Sequence, residues 1–375
     1  MKFVLSLRFS VPLICLVALP RASIAQVPLQ LAHDLPLLAT DQLSTPTTAD
    51  LAWKSILTAN SAAAQPQGKL LIGTVDQRQI ASQLASQTLA VADQARAFYL
   101  ANPTHSSGPD ARDVEILSLI SVVADGDQTV LPRLDQAVAD LRTATAVTAK
   151  IRARGVAAYE FTNATRLLTT QVARMAAVEK AAQNLITEFP SEPQGYEALL
   201  AVAKATEVNK SGQIARQILA SNAPDEVKRS AQTLIDRYAL IGSNLSSVIG
   251  DAGSGTARGL SKGTPVIVYS WATWAPSSIE LGQMIQARRF AAIGICLDAE
   301  IDQAKTREQT AGLGGVQIYD PAGEGGAVAT QLKYSAAGQI YLVDAKGVIR
   351  DVRGGDDLET KLKTFGFKTP ILGRP

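Results

Sequence analysis

The 375-residue chain contains only two cysteines and two histidines, so it is nearly without the side chains that most often serve as nucleophile, proton shuttle or soft metal ligand. The shortage deepens within the first 25 residues. Lys2 and Arg8 form a basic start, Phe9 to Leu19 is largely apolar, and Ala22 to Ala25 offers small residues before Gln26, the pattern of a cleaved secretory signal. Cys15 leaves with that segment, and Cys296 is then the one thiol of the mature chain. That excludes an internal disulfide and a two-thiol redox cycle in an oxidising compartment. Cys15 follows Leu13 and Ile14 in mid-run, without the small residues that lipidation needs. Long apolar runs are missing too: Phe9 to Leu19 is too short to span a bilayer and carries Pro12, and no later segment resembles a transmembrane helix. Nor is one charge in excess. The 36 basic and 34 acidic residues become 33 and 34 once Lys2, Arg8 and Arg21 are removed, a net charge of −1 that argues against a nucleic-acid surface. The expectation is an exported bacterial protein, periplasmic or extracellular, with no transmembrane anchor after signal removal.

About 350 residues remain, enough for two domains that each bury a core. Residues 26–48 hold Pro28, Pro36, Pro46 and a Thr-rich run without periodicity, the composition of a linker. Residues 49–242 are rich in Ala, Leu, Gln and Arg with apolar positions three and four apart, which predicts an all-α domain. Ile80, Leu84, Gln87, Val91, Ala95 and Phe98 form one stripe, ending before Asn102-Pro103. Leu134, Val138, Leu141 and Thr145 form a second, and Leu167, Val172, Met175 and Val178 a third. Pro190 and Pro224 stand 34 residues apart, the period of a tetratricopeptide-type helical pair. An ordinary bundle with prolines at its helix starts gives the same spacing.

After Gly242 the composition changes. A glycine-rich stretch, Asp251 to Gly259, is followed by short apolar strands alternating with helical patterns. Strands are expected over 265–271, 291–298, 316–319, 339–344 and 348–352, and helices over 276–289, 301–311, 326–334 and 356–365. This order predicts an α/β domain over residues 243–375 with both parallel and antiparallel strands.

The segment Trp271-Ala272-Thr273-Trp274-Ala275-Pro276-Ser277-Ser278 carries the first of these strands into a helix start. It resembles the active site of thioredoxin-like reductases of the TlpA or redoxin type, which read W-A-T-W-C-x-x-C there. Three further strings are similar to the same family: Ala292 to Asp298, a strand ending in Asp; the loop Tyr319 to Glu324; and the hairpin Tyr341 to Gly347. The resemblance covers about residues 240–367. It implies a thioredoxin-like domain, a central mixed sheet flanked by helices, behind the all-α domain. It also marks what is missing: Ala275 and Ser278 stand at the two cysteine positions, and Gly338 stands where the family places a cis-proline.

Thiol exchange at such a site needs a thiolate stabilised by the helix N-terminus and a second thiol to resolve the mixed disulfide. Ala275 has no nucleophile, and the Ser278 hydroxyl is too basic to act without a paired base. His33 and His105 both lie outside this region, so no catalytic residue is assigned. Trp271, Trp274, Pro276, Ser277 and Ser278 are the candidate ligand-binding residues. Packing between sheet and helix is the first expectation for both tryptophans. Pro276 suits a first helical turn, while Ser277 with Glu280 has capping-box spacing. The helix start keeps N–H groups able to hold an anion or a peptide carboxylate. Cys296, between Ile295 and Leu297, is expected to be buried and inert. Gly312 to Gly315 and Gly323 to Gly326 read as turns rather than a dinucleotide loop. Asp298, Glu300 and Asp302, the pair Asp356 and Asp357, and the turn Asp125-Gly126-Asp127 lack metal-ligand spacing, so neither metal nor cofactor is assigned. The expected function is an exported, redox-inactive scaffold or binding module for a protein or peptide partner. Two alternatives stand beside it: a TlpA-related thiol-disulfide oxidoreductase with residual or altered redox function, and a purely structural surface module.

Overall fold

A computed structural model describes residues 46–64, 77–250, 263–354 and 358–367. The expected signal, most of the expected linker with His33, the stretch Asp251 to Gly259, and Asp356 and Asp357 lie outside the described residues. Contacts divide the chain into two compact units between Lys228 and Arg229, inside a helix rather than at the change of composition near Gly242.

The first unit is helical. Among the described residues its α-helices are α1 (Thr48–Ala64), α2 (Gln77–Ala101), α3 (Gly108–Ala124), α4 (Leu131–Thr143), α5 (Ala149–Thr165), α6 (Gln171–Glu188), α7 (Pro193–Ala205), α8 (Val208–Leu219) and the start of α9 (Asp225–Tyr238). Local chemistry sets the helix starts. The hydroxyls of Thr148 and Thr170 and the carboxylate of Glu207 accept first-turn N–H groups of α5, α6 and α8, and prolines occupy the first turns of α3, α4 and α7. Val91, Ala95 and Phe98 of the first stripe are buried, as are Leu134, Val138 and Leu141 of the second. The third stripe is corrected: Val178 is buried, but Leu167 is 73% exposed and Val172 81%. The Thr170 cap starts a new helix after Leu167, so Leu167 shares no helical phase with Val178, and Val172, six residues before Val178 in α6, falls on another face of that helix.

Two carboxylates sit inside this unit. Glu115 accepts from the Tyr99 hydroxyl at 2.6 Å and from Arg133 Nε at 3.0 Å, tying α2 and α4 to α3. Asp113, two residues away and so on another face, meets Arg154 of α5 at 2.5 Å, while its Oδ1 has no hydrogen-bond partner.

The second unit contains a mixed five-stranded sheet. Its strands are β1 (Val266–Trp271), β2 (Ala292–Cys296), β3 (Val316–Ile318), β4 (Ile340–Val343) and β5 (Ile349–Asp351), in the order β3-β2-β1-β4-β5. Helices α10 (Pro276–Ala287), α11 (Ile301–Ala311), α12 (Ala327–Gln331) and α13 (Leu358–Thr364) belong to the same unit. β1 pairs in parallel with β2 and β2 with β3, whereas β4 runs antiparallel to β1 and to β5. All six residues of β1 are buried because both faces of the strand are covered, and the alternation decides which core each side chain joins. Val266 and Val268 pack with Ile293, Ile295, Tyr341 and Val343; Ile267, Tyr269 and Trp271 pack with Ala292, Cys296, Ile340 and Leu342 on the other face. A helix-rich chain with a mixed sheet in its C-terminal region is what the residue pattern predicts, and the sheet is consistent with a thioredoxin-like domain. Tyr238 and Leu240, at and beyond the end of α9, pack against the first of these cores, and Arg237 donates to the Lys333 carbonyl and, at 2.8 Å, to Ser335 Oγ.

Candidate functional site

The central strand β1 ends in buried Trp271, and the chain turns through Ala272, Thr273, Trp274 and Ala275 into α10. Ala275 is the N-cap of α10 and supplies no side-chain bond, because alanine has no acceptor there; Pro276 follows in the first turn. Of the two sequence readings the proline start is the one found. Ser277 is an exposed first-turn residue, and its capping box with Glu280 does not form.

Ser278 is fully buried, and its hydroxyl is committed to the backbone. Oγ donates to the Ala275 carbonyl at 2.6 Å and accepts the Ala272 N–H at 3.2 Å, closing the turn on itself. Among the described residues the one histidine, His105, belongs to the helical unit, where Nδ1 accepts from the Ser107 N–H and Nε2 lies 3.2 Å from Asp50. Among the described residues of its own unit, Ser278 has no histidine to activate it.

The third position of the family pattern does come together with the second. A Cβ built on Gly338 would lie 3.9 Å from Ser278 Cβ. Gly338 has φ of +87°, left-handed backbone that glycine adopts freely and that the proline ring, fixed near −65°, does not. Its N–H donates to the Ser270 carbonyl at 2.8 Å. Ser270, which sequence reasoning passed over, clamps this loop to β1: its Oγ donates to the Ala336 carbonyl at 2.8 Å and accepts the Gln339 N–H at 3.0 Å.

Asp298 is the second residue whose role the pattern hid. It follows β2 and is buried, and its carboxylate accepts both the N–H of Thr273 at 2.8 Å and the Thr273 hydroxyl at 2.9 Å. The turn after β1 is thus held by a carboxylate from one side and by Ser278 from the other. Cys296 lies 3.6 Å from the same carboxylate and is 1% exposed. Burial first, and then the adjacent negative charge, push its thiol up to about 12, the reverse of what a thiolate nucleophile requires.

The two tryptophans differ. Trp271 has no exposure, and its indole N–H donates to Gln317 Oε1 at 2.8 Å. Gln317 reaches it from β3 across Gly294, where any side chain would collide with the amide, and also donates to the Gly314 carbonyl at 2.9 Å. Trp274 is 58% exposed at the tip of the turn, so the packing expectation holds for Trp271 and is corrected for Trp274. Of the five candidate binding residues, Trp274, Pro276 and Ser277 face solvent, whereas Trp271 and Ser278 are enclosed.

Among the described residues no group of three or more His, Cys, Asp or Glu is placed to hold a metal, and no helix is long and apolar enough to cross a membrane. Neither a protein-family model nor a curated protein matches this chain. Among solved structures, it is similar to the C-terminal domain of a protein from Bacteroides thetaiotaomicron described as a thiol-disulfide oxidoreductase. The two share 23% identity with a TM-score of 0.25, over 28% of this chain and 78% of that one.

Proposed function

We propose that this chain is an exported, redox-inactive thioredoxin-like protein that binds or scaffolds a protein or peptide partner. The observation that carries this reading is the fate of the Ser278 hydroxyl: buried, bonded to Ala272 and Ala275, and set against a left-handed Gly338, it closes the turn instead of facing a substrate. Ala275 adds no nucleophile, and Cys296 is a buried thiol of raised pKa. The signal-like first 25 residues support export, and the 34-residue spacing of Pro190 and Pro224 supports a tetratricopeptide-like reading of the helical unit. What remains on the surface is a rigidly seated aromatic. Trp274 stands out from a turn pinned by Asp298 and Ser278, and an exposed indole on a preorganised loop is a low-entropy anchor for a partner.

Crosslinking in extract of the exporting compartment, with the mature chain and its Trp274→Ala variant side by side, tests the binding half of the reading. A discrete crosslinked partner that the variant loses supports it; identical patterns from both proteins would remove Trp274 from the interface.

A further inference from the structure

We propose that the helical unit carries a binding site for a small zwitterion of the free α-amino-acid class, a function separate from the reading of the sheet unit. The site is a cavity of ≈ 240 Å³ walled by the end of α4, the start of α5 and the turn between α6 and α7. Its size limits the ligand. Pockets for drug-sized molecules measure roughly 300–1,000 Å³, so this smaller space suits a small metabolite.

Its charges define the chemistry. Arg142 is already neutralised, with Nε 3.1 Å from Glu188 and Nη2 2.5 Å from Glu160. Arg152 is half-buried and is not neutralised. Its Nη1 donates to the Arg142 carbonyl at 3.2 Å, its Nε is buried with no partner, and no carboxylate among the described residues pairs with it. Glu192, from the α6–α7 turn, is half-buried as well; it is the N-cap of α7, yet its side chain makes no capping bond. Arg152 and Glu192 line the same cavity without forming an ion pair with each other. One uncompensated cation and one uncompensated anion therefore border a space whose remaining wall includes Phe189 and Pro190.

A half-buried guanidinium with no carboxylate partner gains from a carboxylate, which can accept from its terminal N–H groups, and a free carboxylate gains from an ammonium. A simple anion would answer Arg152 but meet Glu192, and a simple amine would answer Glu192 but meet Arg152. A molecule carrying both groups on one carbon satisfies both, with an aliphatic side chain against Phe189 and Pro190.

The test is calorimetric titration of the mature chain with L-leucine, L-alanine, N-acetyl-L-leucine, L-leucinamide and inorganic phosphate. The expected result is saturable binding of the free amino acids, with at least about tenfold weaker binding of the acetylated form, which lacks the ammonium, and of the amide, which lacks the carboxylate. Arg152→Gln and Glu192→Gln should each weaken leucine binding by at least about tenfold. Arg152 also holds the Arg142 carbonyl, so Glu192→Gln, whose side chain supports no capping bond, separates lost binding from lost folding. No saturable binding of either free amino acid, equal binding of the blocked forms, phosphate binding in their place, or unchanged binding by folded Glu192→Gln would each overturn the proposal. None of these outcomes bears on thiol chemistry in the sheet unit.

Discussion

Ser278 places its hydroxyl between the Ala275 carbonyl and the Ala272 N–H in a site with no solvent exposure. Ser278→Ala leaves that N–H buried and unpaired, and urea denaturation should show a loss of about 1–3 kcal/mol. Gly338→Ala has room for its methyl, since the nearest atom is 3.9 Å away, but must hold φ at +87°; the expected cost is about 1–2 kcal/mol, measured the same way. Cys296 makes a prediction in pH. Its folded pKa of about 12 lies above its ordinary value of 9.0, so below pH 9 the thiol is protonated in both states and the burial is fully favourable. Above pH 9 the unfolded chain releases the proton and the folded chain keeps it, so stability falls as pH rises toward 12. Cys296→Ala should lose stability less steeply across that window. Tyr269, whose phenol burial pushes up to about 12, leaves part of the slope in place. A thiol reagent should label native Cys296 far more slowly than the urea-unfolded chain.

At the scale of elements, what the sequence made legible was whatever its local pattern determines. β1, the start of α10 and the succession of five strands along the chain follow from apolar runs, Pro276 and the alternation of strand and helix. The clamps did not show. Ser270 bonds to Gln339 and Asp298 to Thr273 across 69 and 25 residues, and a hydroxyl or carboxylate inside or just after an apolar strand carries no signal of its distant partner. The exposed Trp274 was misread for a related reason: composition says that tryptophan packs, while the turn geometry decides whether it can. The failed stripe from Leu167 to Val178 shows that periodicity is informative only within one helix, and Thr169-Thr170 was the cap signal that should have divided it. Buried charge between helices was equally hidden. Glu115→Ala leaves Tyr99 and Arg133 without their shared acceptor, and the helical unit should lose about 2–4 kcal/mol. That is below the full value for a broken buried pair, because Arg133 keeps Asp93 and both it and Arg96 reach solvent.

For the whole molecule, two compact units with separate cores predict that scanning calorimetry will give a calorimetric enthalpy larger than the van't Hoff value, the sign of more than one cooperative transition. In the sheet unit the turn between β1 and α10 holds Ala275 at the N-cap, with a buried Ser278 and a left-handed Gly338 beside it, and the proposed function reads this turn as redox-inactive. The most direct measurement is insulin disulfide reduction by the mature chain in the presence of a dithiol donor, run beside the Ala275→Cys, Ser278→Cys double variant. The native chain is expected to reduce insulin no faster than the donor alone, while any gain in the variant would show that the nucleophiles were what the native chain lacked. Turnover by the native chain comparable to that of a dithiol enzyme would contradict it.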